Sequence, residues 1–163
     1  MKVLLVEDET LIRLDLRGIL ERHGFTVCAE ARDGLEAVEL ARTAEPDAAL
    51  MDLRMPNLDG IEAARRIYAE RPIPIVMLTA FDDRGVVEKA LAAGVFSYLV
   101  KPFREADVAP ALRAAAARHA ELLAARRRIG VEQPKRIEMV IGDKWPVRIE
   151  RGEDGSIDVR AVP

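Results

Sequence analysis

The sequence predicts an α/β fold on a parallel sheet, and two observations carry that expectation. As far as about Arg128, short apolar runs alternate with segments of helical period, giving five strand-then-helix repeats. A polar group also closes four of these runs: Glu7-Asp8 after Val3 to Val6, Asp52 after Asp47 to Met51, Thr79 after Ile75 to Leu78, and Lys101 after Tyr98 to Val100. Parallel strands gather all of these groups at one edge of a sheet.

Each element has its own signal. The helix after the first strand carries Ile12, Leu16, Ile19, Leu20 and His23 on its inner stripe and stops at Gly24, so His23 reads as a helix-end residue and not a ligand. The apolar run Phe25 to Ala29 is the second strand and contains the single cysteine, Cys28, expected to be a buried, inert thiol with no disulfide partner. Asp33-Gly34-Leu35-Glu36 and Asp59-Gly60-Ile61-Glu62 each fit an N-cap aspartate with a glutamate three positions on, so these carboxylates are assigned to helix starts. Pro72 and Pro74 lead into the fourth strand, Gly94 ends a fourth helix, and Pro102 turns the chain out of the fifth strand.

The segment Glu105 to Arg128 reads as a long, alanine-rich helix with Val108, Leu112, Ala115, Ala116, His119, Leu122 and Leu123 on one face and Pro110 expected to kink its start. After a linker over 129–135, Ile137/Met139/Ile141, Val147/Ile149 and Ile157/Val159 alternate with polar residues. They predict a three-stranded antiparallel appendage over 136–163, with turns near Gly142-Asp143 and Gly152 to Gly155 and one apolar face anchored by Trp145. The expected domains are thus 1–128, the linker, and 136–163.

Composition bounds the function. With 163 residues, half of them hydrophobic, the chain can bury one good core and a small appendage. A formal net charge of -3 gives no general attraction for nucleic acid or an anionic membrane. The start at Met1 leads directly into a strand, without a signal-peptide pattern, and no apolar stretch approaches a membrane span, so a cytoplasmic location is expected.

The chemistry follows from crowding. Asp52, Glu7 and Asp8 at one edge repel one another unless a cation binds between them, and oxygen ligands suit magnesium. Asp52 could then act as a nucleophile toward phosphorus, with Lys101 and Thr79 supplying charge and a hydrogen bond to the phosphoryl oxygens. Ala80 is small enough to leave an open approach, and Arg54 and Phe81 flank the site where they would govern water access.

At these positions the sequence resembles the receiver domain of two-component response regulators. The resemblance covers Lys2 to about Ala125 and rests on Glu7-Asp8, on Met51 to Gly60, on Leu78-Thr79-Ala80, and on Tyr98-Leu99-Val100-Lys101-Pro102-Phe103. It implies a doubly wound, flavodoxin-like, five-stranded parallel sheet in strand order 2-1-3-4-5. It also implies Asp52 as phosphoacceptor from a sensor histidine kinase, a magnesium site at Glu7, Asp8, Asp52 and the Arg54 carbonyl, Thr79 and Lys101 as the phosphate-sensing pair, and Tyr98 as an aromatic switch with Thr79. Such a protein is a switch and no metabolic enzyme, self-catalysing its phosphorylation and dephosphorylation at most.

Two further likenesses define the alternatives. Haloacid-dehalogenase phosphatases also use an aspartate nucleophile, but need a second aspartate two residues on, where this chain has Arg54. Leu11 to Leu16, Pro74 to Phe81 and Phe96 to Phe103 resemble the receivers of ANTAR-type antitermination regulators, whose RNA-binding module of three helices does not fit the Gly- and Pro-punctuated tail. A protein contact or homodimer through the last helix or the C-terminal strands is therefore the expected output, with an RNA- or DNA-binding regulator as the alternative. The run Arg126-Arg127-Arg128 is read as complementing a helix dipole.

Overall fold

The computed structural model describes residues 1–80 and 93–128 and three later strands, 136–141, 145–151 and 157–161. The chain divides into two compact units, Met1–Glu121 and Leu122–Pro163.

In the first, β1 (Lys2–Val6), β2 (Thr26–Ala31), β3 (Ala48–Asp52), β4 (Ile75–Thr79) and β5 (Val95–Val100) form one parallel sheet in the order β2-β1-β3-β4-β5. This is the order the family resemblance implies. The helices are α1 (Thr10–Arg22), α2 (Gly34–Thr43), α3 (Gly60–Glu70) and α4 (Glu105–Arg128). The helix expected between β4 and β5 lies outside the described residues.

The period-two geometry of strands sends alternate side chains to opposite faces. Leu4, Val6, Met51, Ile75 and Met77 pack on one side with Ala37 and Ala41 of α2 and with Ala63, Ala64 and Ile67 of α3. Val3, Leu5, Leu50, Val76 and Leu78 meet Leu16, Ile19 and Leu20 of α1 and Val108, Leu112 and Ala115 of α4 on the other. The inner strands are thus covered twice, which is why they read as unbroken apolar runs.

The edge strand differs. Four residues of β2, Cys28 among them, are only half-buried, which corrects the expectation of a buried thiol: an edge strand has a ladder partner on one side alone. The Cys28 thiol donates to the Val3 carbonyl at 3.5 Å, and burial pushes its pKa up.

Most helix ends match their sequence signals. His23 caps α1, and Gly24 follows at φ +82°, the left-handed conformation that favours glycine. Asp33 and Asp59 accept from the N–H groups of Glu36 and Glu62, each at 2.9 Å. Glu36 reaches back to the N–H of Arg32 at 2.8 Å, but Glu62 turns to Arg65 and Arg66, whose hydrogen bonds pull its pKa down to about 2. Helix α4 runs on through Pro110; Val108, Leu112, Ala115 and His119 of its expected stripe are buried, and Leu122 is exposed.

In the second unit, β6 (Arg136–Ile141), β7 (Trp145–Arg151) and β8 (Ile157–Ala161) form an antiparallel sheet in that order. Ile137 pairs with Ile149, Met139 with Val147, Ile141 with Trp145, and Ile149 with Val159. The expected turns between these strands fall outside the described residues. No helix among the described residues is long and apolar enough to cross a membrane.

Candidate functional site

Parallel pairing aligns the carboxyl ends of the central strands. Val6 stands opposite Met51, Asp52 opposite Leu78, and Thr79 opposite Val100, so the residues that follow β1 and β5 fall beside the last residues of β3 and β4. Carboxylate oxygens of Glu7, Asp8 and Asp52 lie within 4.8 Å of one another. Glu7 is fully buried, Asp52 is 7% exposed, and Asp8 is open to solvent.

The strand ends also fix the cation. The Lys101 amide donates to the Thr79 carbonyl at 2.7 Å, and the Lys101–Pro102 bond is cis. The Lys101 ammonium donates to Glu7 Oε2 at 3.1 Å and stands 3.3 Å from Asp52 Oδ1. Asp52 Oδ1 accepts the Leu53 N–H at 2.8 Å, and Glu7 Oε1 accepts the Glu9 N–H at 3.2 Å.

Burial dominates the electrostatics. It pushes Glu7 up from the ordinary carboxylate range, the Asp52 charge adds to the shift, and the hydrogen bond from Lys101 opposes it. Burial pushes Asp52 up as well, against the pull of Lys101. For Lys101 burial is the largest single influence and acts downward, but Glu7 and Asp52 together outweigh it and raise the ammonium pKa.

Three carboxylates and one ammonium leave the cluster short of positive charge. The donor set is all oxygen, with no thiolate or imidazole, and two of the three carboxylates are desolvated. Such a set fits a hard divalent cation such as magnesium.

The remaining predicted residues surround this cluster. Thr79 ends β4 half-buried, Ala80 follows it at the surface, and Arg54 is exposed in the loop after Asp52. Tyr98, on β5 opposite Met77, is 48% exposed. Phe81 lies outside the described residues.

Two contributors escaped the sequence reading. Gly60, read only as part of a cap, starts α3 hard against the end of β3: a Cβ there would fall 2.3 Å from the Asp52 carbonyl oxygen. Arg13 is buried at 8% exposure on α1 and donates to the main-chain carbonyl of Glu7 at 2.7 Å. Its signal was a charged residue in phase with Leu16 and Leu20.

Comparison with known proteins points the same way. Residues 3–113 match the family model of the response regulator receiver domain. Over 123 residues the chain is 50% identical to the transcriptional regulatory protein PdtaR of Mycobacterium tuberculosis, covering 76% of this chain and 60% of that protein. It is 37% identical over 117 residues to the chemotaxis protein CheY of Listeria monocytogenes, covering 71% of this chain and 98% of that one. The signal receiver domain of a modulated diguanylate cyclase from Desulfovibrio desulfuricans superposes with a TM-score of 0.69 at 33% identity, over 74% of this chain and 97% of that structure. The chain spans about three fifths of the length of its PdtaR relative.

Proposed function

We propose, from the premise that this chain belongs to the response regulator receiver domain family, that it is a two-component switch whose phosphoacceptor is Asp52. Receiver domains take a phosphoryl group on an aspartate in a magnesium-dependent reaction and interact with sensor histidine kinases. In general they are phosphoacceptors and not catalysts of substrate turnover. The observation that carries the assignment is the buried Asp52 carboxylate at the end of a central strand, grouped with Glu7 and Asp8 within 4.8 Å and with Lys101 at 3.3 Å.

In the proposed reaction a carboxylate oxygen of Asp52 attacks the phosphorus of a kinase phosphohistidine. The N–P bond breaks, the imidazole nitrogen leaves with the electron pair and takes up a proton, and Asp52 becomes an acyl phosphate. Glu7, Asp8, Asp52 and the Arg54 main-chain carbonyl would hold magnesium. When bound, the ion neutralises charge on the carboxylates and the phosphoryl oxygens. The Lys101 ammonium, already beside Asp52 Oδ1, supplies the fixed positive charge, and the Thr79 hydroxyl donates a hydrogen bond to a phosphoryl oxygen. Movement of Thr79 toward that oxygen makes room for Tyr98, half-exposed in this structure, to turn inward.

In this reading residues 1–128 are the receiver with its extended last helix, 129–135 a linker, and 136–163 the output appendage. The switch acts in the cytoplasm through a changed protein contact or a homodimer formed by the last helix or the C-terminal strands. The test is the intact mass and assembly state of wild type and Asp52→Asn, with and without a small-molecule phosphodonor plus magnesium. Wild type gains a phosphoryl group and shifts assembly. Acyl-phosphate formation in Asp52→Asn would overturn the assignment.

A further inference from the structure

Arg13 has no part in the reaction just described, yet among the described residues it is one of the few charged side chains that are buried. Its Nη1 donates to the Glu7 carbonyl at 2.7 Å, while its Nε stands 3.4 Å from Glu30 Oε2 on β2. The other oxygen of Glu30 accepts from Arg17 at 2.8 Å. A guanidinium suits this position because its rigid fork presents donors in several directions at once, here to a carbonyl and a carboxylate.

The carbonyl it holds belongs to the peptide joining Glu7 to Asp8. A peptide unit is planar, so pinning its oxygen fixes the rotation of the whole plane and the direction in which the chain departs toward Asp8. Strand β1 stops at Val6, and from there the sheet ladder no longer imposes this orientation. The rest of Glu7 is tied independently: its N–H to the Ala31 carbonyl at 3.1 Å, Oε1 to Glu9, and Oε2 to Lys101. Asp8 is solvent-exposed, so packing does not aim its carboxylate.

We infer that Arg13 is a positioning residue that presets the Glu7–Asp8 peptide, and with it the Asp8 carboxylate, for a divalent cation, while Glu30 holds the guanidinium in place from β2. This rests on the reading that Glu7, Asp8 and Asp52 form the magnesium site. Its rival is that Arg13 merely fills space on the buried side of α1. The two differ in one measurable quantity, the magnesium affinity of the folded protein.

The experiment titrates magnesium calorimetrically into the full chain as wild type, Asp8→Asn, Arg13→Met and Arg13→Lys, with denaturant unfolding in EDTA to establish that each is folded. Arg13→Met, which keeps the bulk and loses the donors, weakens magnesium binding about tenfold or more, the usual cost of losing an outer partner of a metal ligand. Arg13→Lys recovers part of the loss. Arg13→Met with wild-type affinity overturns the inference, even where that variant is less stable. Should it fail to fold, Arg13→Gln takes its place under the same two outcomes. Absent magnesium binding in wild type, or binding unchanged in Asp8→Asn, overturns instead the site assignment beneath it.

Discussion

Asp52 and Glu7 share one ammonium in a desolvated corner, and both are pushed above the ordinary carboxylate range: burial, joined at Glu7 by the charge of Asp52, outweighs what Lys101 returns. A carboxyl with a folded pKa above its unfolded value destabilises the fold at every pH above the folded value. That penalty shrinks as pH falls through the folded pKa and is gone below the unfolded value of about 4. Asp52→Asn should therefore stabilise the magnesium-free protein at neutral pH by about 1 kcal/mol, a rise of about 3 °C in Tm. The gain should vanish near pH 4, and thermal unfolding across that range checks it. A less stable Asp52→Asn at neutral pH would mean that the attraction of Lys101 wins over burial. Lys101→Met has the opposite sign: it strands two buried carboxylates without a cation and should cost about 1–3 kcal/mol, discounted from a fully buried pair because the lysine side chain is 28% exposed. That cost should fade in acid as Glu7 and Asp52 protonate, and a pH-independent cost would refute the electrostatic account.

At the scale of elements, the loop after Asp52 is held by two helix starts. Asn57, at φ +65°, donates to Asp33 Oδ2 at 2.7 Å, so the cap of α2 also anchors the loop that carries Arg54. The Glu36 N–H and the Asn57 amide hold Asp33 below the usual carboxylate range. A carboxylate lowered in this way adds stability above its unfolded pKa and loses it as pH falls through the folded value. Asp33→Ala should cost about 1 kcal/mol at neutral pH, and the gap from wild type should narrow below about pH 4; urea unfolding at both pH values decides it. Gly60→Ala should cost about 1–3 kcal/mol by overpacking, because its Cβ meets main-chain oxygen of Asp52 and not a movable side chain. The sequence showed Asp33 and Asp59 as caps, since capping is local and leaves a spaced Asp-Gly-x-Glu pattern. It did not show the Gly60 contact, because a cap already accounts for an Asp-Gly pair and the approach to β3 is tertiary. Arg13 stayed hidden for a related reason: a lone charge on a helix reads as solvent-facing until the partner that buries it is known.

For the whole molecule, what could be read locally and what could not divide along the same line. The alternation of runs marked five strands and their polar ends, whereas pairing order leaves no local trace and came only through the family resemblance. The tail strands were visible because β6, β7 and β8 alternate apolar and polar residues over short, Gly-bounded runs, and their observed pairing keeps Ile137, Met139 and Ile141 opposite Ile149, Val147 and Trp145. Among the described residues, both apolar clusters on the first sheet draw their buried members from within Met1–Glu121. The CheY relative, nearly all of which aligns over 117 residues, has about the same length. A chain ending at Glu121 should therefore fold cooperatively, bind magnesium and gain a phosphoryl group on Asp52, while losing any assembly change that phosphorylation causes in the full chain. Denaturant unfolding, intact mass and sedimentation on the two chains separate the possibilities. A truncated chain that fails to fold would make residues beyond 121 part of the receiver core, and one that folds and still changes assembly would move the output contact into the receiver itself.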